Sequence, residues 1–139
     1  MEFTATATST APAAACWAAL TDIADWPNWT ASITAVDPVD DGGLAVGRRY
    51  RLTQPGMPVL TWTVTRLDEG EAFDWEARSP GVLTVGRHRL RPDGEGTRID
   101  LGVHQSGPLA WLFGLIGGAK TRRLIAMEAA GLKAASESR

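Results

Sequence analysis

PLAWLFGLIGGAKTRRLIAMEAAGLKAAS, running from Pro108 to Ser136, sets the architecture of the whole chain. Pro108 suits a first helical turn, where its missing N–H is no loss, and Gly107 can cap ahead of it. Leu112, Ile116, Ala119, Met127 and Ala130 recur at helical spacing and define an apolar stripe. Lys120, Arg122, Arg123, Glu128 and Lys133 fall mostly off that stripe. Gly114, Gly117 and Gly118 each cost roughly 0.5–1 kcal/mol against alanine in a helix interior, so a kink or break is expected there. Nearly everything upstream reads as short alternating strands. One long amphipathic helix beside one antiparallel sheet predicts that the sheet curls around the helix. An apolar pocket is expected between them.

The 139 residues predict one domain, residues 1–139, with a core of its own. Apolar residues make up 44% and charged residues 22%, which places the chain with folded globular proteins. A net charge of −2 gives no electrostatic case for nucleic acid or an anionic membrane. The lone cysteine, Cys16, excludes an internal disulfide and a cysteine-based metal cluster. MEFTATATST has neither the basic nor the apolar region of a signal peptide. No membrane span is expected, because the best apolar window, Leu109 to Ala119, is too short. The expected location is cytoplasmic.

Taken in order, Glu2 to Thr8 alternates as a half-buried strand. Pro12 opens a helix to about Asp22, with Ala13, Trp17 and Leu20 as its apolar face. Asp25-Trp26-Pro27-Asn28-Trp29 is an aromatic turn or second short helix. Strands follow over Ser32–Val36, Val46–Gln54, Val59–Leu67, Ala72–Arg78, Val82–Arg91 and Thr97–Gln105. Val46, Tyr50, Leu52 and Gln54 share a face by parity. Pairing Leu67 with Ala72 sets Val64 against Trp75, Thr63 against Glu76 and Thr65 against Asp74. Trp62, Val64, Phe73, Trp75 and Ala77 then point inward. In the last hairpin Ile99, Leu101 and Val103 face in, opposite Leu90, His88 and Gly86, while Arg87, Arg89 and Arg91 face out.

This order, together with several local strings, resembles the START-like helix-grip superfamily in its polyketide cyclase/dehydratase branch. The strings are Ala15-Cys16-Trp17-Ala18-Ala19-Leu20-Thr21-Asp22, Asp25-Trp26-Pro27-Asn28-Trp29, Gly47-Arg48-Arg49-Tyr50, Phe73-Asp74-Trp75 and the Gly107-Pro108-Leu109 entry to the last helix. The resemblance spans the chain. It implies an α+β fold: a seven-stranded curved antiparallel sheet wrapped around the C-terminal helix, two short helices after the first strand, and a ligand cavity. It implies no cofactor and no shared catalytic motif. Many members of the superfamily bind lipids or other hydrophobic molecules without transforming them.

His88 is the one residue of near-neutral pKa that parity sends inward. It reads either as a hydrogen-bonded cavity histidine or as a ligand-orienting group or general base. No carboxylate shares its inferred strand face, so a His–acid dyad is not expected. His104 reads as a surface residue, and two histidines without acidic partners predict no metal site. Tyr50, Gln54 and Gln105 offer polar groups near strand ends, with Tyr50 a second candidate for proton transfer. Trp29, Trp62, Trp75 and Trp111 are candidate wall residues beside Trp26, and Trp17 belongs to the core. Trp29 and Trp111 are expected nearest the mouth. The expected partner is a small hydrophobic molecule of aromatic, lipid or polyketide-like character; oligomeric state is not readable. A cyclase/aromatase or dehydratase acting on a carbonyl substrate is the alternative.

Overall fold

The computed structural model describes residues 1–139. Strand β1 (Glu2–Ser9) leads into helix α1 (Ala13–Thr21), a 3-10 turn (Ile23–Asp25) and the one-turn helix α2 (Trp26–Trp29). Six strands follow: β2 (Ala35–Pro38), β3 (Arg49–Thr53), β4 (Leu60–Asp68), β5 (Ala72–Ser79), β6 (Val82–Asp93) and β7 (Gly96–Ser106). Helix α3 (Ala110–Glu137) closes the chain. The strands form one antiparallel sheet in the order β1-β7-β6-β5-β4-β3-β2. The first and last segments of the sequence therefore meet, since β1 pairs with β7 and packs on α3.

Alternation explains which face is buried. Tyr50, Leu52, Trp62, Val64, Phe73, Trp75, Ala77, Leu90, Ile99 and Leu101 form one continuous core with Trp17, Leu20 and Trp26. Their neighbours along each strand are mostly Thr, Arg, Asp and Glu, which suits a sheet wet on one side. Val46 departs from the expected face: it lies before β3 and is exposed. The last hairpin has the register that parity predicts, with Leu90 opposite Ile99, His88 opposite Leu101 and Gly86 opposite Val103. On its outer face Arg89 binds Asp74 at 2.6 Å.

The β4–β5 pairing corrects the sequence reading in part. Val64 pairs with Trp75 and Thr63 with Glu76, but Leu67 pairs with Phe73 rather than Ala72, and Arg66 takes the place opposite Asp74. Thr65 is the extra residue of a bulge. One inserted residue shifts parity, so Val64 and Leu67, three apart, both reach the apolar side.

Helix α3 carries two further corrections. It begins at Ala110, so Pro108 lies in the preceding turn and not in the first helical turn. Gly107 has φ +109°, and a Cβ there would lie 2.6 Å from the Gly81 carbonyl oxygen. Leu109 N–H donates to that same oxygen at 3.0 Å, which ties the helix start to the β5–β6 turn. The helix then runs unbroken for 28 residues through all three suspect glycines. A Cβ at Gly117 meets open space, and one at Gly118 meets the Phe3 ring at 3.5 Å, an ordinary contact. Gly117→Ala/Gly118→Ala is therefore expected to raise stability by roughly 1–2 kcal/mol in urea unfolding. A loss of stability would mean that the helix needs freedom at these two positions.

The buried face of α3 is also not the one expected. Gly118, Leu124, Ile125, Ala129, Leu132 and Ser136 face the sheet, while Ile116, Ala119 and Ala130 are exposed. Leu112 and Met127 are half-buried. The C-terminal end of α3 is fixed by polar contacts. Ser136 and Ser9 share a buried 2.7 Å hydrogen bond, and Glu137 accepts from Thr10 N–H at 2.8 Å.

Candidate functional site

Between the sheet and α3 lies a cavity of about 80 Å³ walled by Trp26, Ile33, Leu52, Trp62, Trp75 and Leu101, with Leu124 and Ile125 above. A hollow of about 320 Å³ adjoins it, bordered by Met57, Pro58, Leu112, Phe113 and Ile116. Met57, Leu60, Thr84, Gln105 and Thr121 border both, so they form the neck between an inner chamber and a mouth. Together the two spaces reach the size of small-molecule sites, about 300–1,000 Å³.

The inner chamber is built on aromatic packing. Trp26 lies 5.5 Å from Trp29, 5.3 Å from Trp75 and 5.7 Å from His88, between ring centroids. Its indole N–H donates to the Leu20 carbonyl at 3.0 Å, which holds α2 against α1. Trp62 and Trp75 meet at 5.6 Å. A Cβ at residue 86 would come within 2.8 Å of Trp75 Nε1, so glycine on β6 leaves room for that indole. Tilted and edge-on pairs of this kind are favoured by the ring quadrupoles.

His88 sits within this wall. Its ring stacks on Phe73 at 4.0 Å, with 13° between the planes. Nδ1 lies 3.0 Å from the Phe73 carbonyl oxygen. A carbonyl only accepts, so Nδ1 carries a hydrogen, and in the neutral ring Nε2 holds the lone pair. Nε2 faces Glu128 Oε1 at 3.6 Å, and the two side chains are 4% and 16% exposed. This is the carboxylate that strand parity does not find. It comes from α3, one helical turn after Leu124 and one before Leu132. An acid inside the run Leu124, Ile125, Ala129, Leu132 is the available sequence signal, and assigning the buried stripe to the other face hides it.

The remaining candidates divide. Gln54, Trp62, Trp75, His88 and Gln105 all border the chamber. Tyr50, Trp29 and Trp111 do not. Tyr50 is buried and packs on Trp75 at 6.0 Å, and burial raises its phenol pKa, so it holds its proton. Trp29 packs beside Trp26 in α2, and Trp111 stands 62% exposed at the start of α3. Trp17 is core, with its indole N–H donating to Glu69 at 3.0 Å. His104 lies outside the cavity and binds Glu2 at 2.7 Å. Trp62 Nε1 and Gln105 Oε1 are buried without a partner, so two unpaired polar atoms lie in chamber-lining residues.

A curved antiparallel sheet closed on a long C-terminal helix, with an aromatic cavity between, defines a helix-grip protein of the ligand-binding type. The chain belongs to the family described as "Polyketide cyclase / dehydrase and lipid transport", whose model matches residues 1–137. No curated protein matches it in sequence. Among solved structures it is similar to the Zhui aromatase/cyclase from a Streptomyces species, at 21% identity and TM-score 0.80, over 100% of this chain and 94% of that one. It is similar to TTHA0849 from Thermus thermophilus, at 15% identity and TM-score 0.80, over 99% and 98%. It is also similar to the hypothetical protein jhp0584 from Helicobacter pylori, at 14% identity and TM-score 0.82, over 98% and 88%. At these identities the likeness is one of fold. No helix is long and apolar enough to cross a membrane.

Proposed function

We propose that this chain is a cytoplasmic binding protein that holds a small hydrophobic molecule between sheet and α3, with the polar end of the ligand at His88 and Glu128. The observation that carries the reading is an aromatic chamber with one ionisable pair in its wall and a neck to solvent. Burying about 250 Å² of apolar ligand surface gives roughly 6 kcal/mol of gross driving force at about 25 cal/mol/Å². Association and ordering remove several kcal/mol, so micromolar to millimolar affinity is expected for a generic aromatic ligand. Trp26, Trp62 and Trp75 border the chamber, so an aromatic ligand should quench tryptophan emission. Native mass spectrometry of protein from its own host should show a retained adduct. A chamber that quenches with no apolar or aromatic ligand would end the reading.

One observation favours a second reading, acid–base catalysis on a carbonyl compound. In the neutral tautomer His88 Nε2 can accept a proton, and Glu128 at 3.6 Å can stabilise the imidazolium that results. Glu128 takes the place that Tyr50 held as the second proton-handling candidate, because the Tyr50 phenol keeps its proton. The two readings separate by substitution. For a binder, His88→Gln and Glu128→Gln keep hydrogen-bonding groups and should leave affinity within about tenfold, roughly 1.4 kcal/mol. For an enzyme, either change should lower turnover of a β-hydroxycarbonyl or poly-β-keto substrate by roughly 10²–10⁴-fold.

A further inference from the structure

The apolar stripe that the sequence places on α3 is real, but it faces away from the sheet. Trp111, Leu115 and Ile116 are 62%, 76% and 78% exposed. Leu112, Ile116, Ala119 and Arg123 follow one another at steps of four, three and four, on the side opposite Thr121, Ile125, Glu128 and Leu132. A helix segment that is apolar all round is ordinarily covered. Here its inner side covers the cavity, and its outer side is bare.

The charge of this stretch of sequence is one-sided although the whole chain is mildly acidic. No Asp or Glu occurs between Asp100 and Glu128, while Lys120, Arg122 and Arg123 lie within that interval. Arg122 and Arg123 are exposed on α3 directly after the apolar turns. Arg122 also leans over the Phe3 ring at 5.0 Å. A two-fold pair of copies meeting through this face would bring these cations together with no carboxylate of the segment to match them. Exposed Trp, Leu and Ile followed by Arg and Lys is instead the pattern of a helix that lies in a lipid–water interface.

We propose that the outer face of the first half of α3 docks on an anionic lipid bilayer. Trp111, Leu115 and Ile116 enter the interface, and Arg122 and Arg123 meet the acidic headgroups. Ile116 and Phe113 also border the mouth of the cavity, so docking sets that mouth at the membrane surface. The docking is independent of the ligand reading, because dye binding inside the chamber is measured without vesicles.

The test is co-sedimentation of the whole chain with two kinds of vesicle, phosphatidylcholine alone and two-thirds phosphatidylcholine with one-third phosphatidylglycerol. Retention should be at least about tenfold greater on the anionic vesicles and should fall with salt. Arg123→Glu should weaken it, and Trp111→Ser/Leu115→Ser, at two exposed positions that border neither the chamber nor its mouth, should abolish it while leaving the circular dichroism spectrum and dye binding unchanged. If that pair does not fold, Trp111→Ser gives the same comparison at a single exposed position. Absence of retention on anionic vesicles, or equal retention of wild type and variants, overturns the proposal. So does a wild-type dimer in analytical ultracentrifugation that the Trp111→Ser/Leu115→Ser change turns into monomer, since a second copy would then cover the face.

Discussion

Thr84→Trp is expected to lower affinity for aromatic ligands at least about a hundredfold, near 3 kcal/mol. Thr84 is buried on β6, opposite Gln105 on β7 and Ala77 on β5, and it borders both the inner chamber and the mouth. An indole at that point fills the neck. It displaces ligand atoms from the inner chamber and blocks the way to His88. The fold should survive, because the new side chain grows into empty space rather than into packed core. Overpacking at a well-filled site costs about 1–3 kcal/mol, and the cost here should fall at the low end. Titration of tryptophan emission would be compromised by the added indole, so calorimetry or displacement of a fluorescent probe is the suitable measurement. Thr84→Val supplies the control, with similar volume and an open neck. Unchanged affinity in Thr84→Trp would show that ligands bind elsewhere.

Gly131→Ala is expected to destabilise the protein by about 1–3 kcal/mol. Thermal melting should move down by roughly 4 °C for each kcal/mol at this chain length. Helix propensity alone predicts the opposite sign, a gain of roughly 0.5–1 kcal/mol. The structure decides the matter through one contact. A Cβ at Gly131 would fall 2.3 Å from the Trp29 carbonyl oxygen and 2.9 Å from its ring. The carbonyl belongs to the one-turn helix α2, which Trp26 anchors to α1, so the obstacle is backbone and cannot rotate away. Gly117→Ala in the same helix should stabilise, since its Cβ meets nothing within 4 Å. Opposite signs for two identical substitutions in one helix, read in the same urea titration, test the docking of α3 on α2. Equal gains at both positions would mean that α2 and α3 do not approach as closely as described.

Much of the fold follows from local chemistry. Period-two alternation locates most strands to within a few residues and specifies the β6–β7 register, because a one-residue slip would turn His88, Leu90 and Leu101 outward. Cross-strand parity places Trp62, Trp75 and His88 on the inner face for the same reason. The bulge at Thr65 escapes that argument, since its one mark is the three-residue step from Val64 to Leu67, which a single uniform register for the hairpin passes over.

The order of elements, the inner face of the sheet and the aromatic lining of the pocket are thus written in residue chemistry alone. The phase of α3 is not, and it is settled by packing. Leu112, Ile116, Ala119, Met127 and Ala130 form as good a stripe on paper as Gly118, Ile125, Ala129 and Leu132, and periodicity alone cannot rank two stripes of one helix. The curled sheet resolves it. Gly118 admits the Phe3 ring and Gly131 admits the Trp29 backbone, so the sheet and α2 accept the side of the helix that carries these two glycines. That choice of phase brings Glu128 to His88, its distant neighbour in sequence, and leaves Leu115 and Ile116 bare.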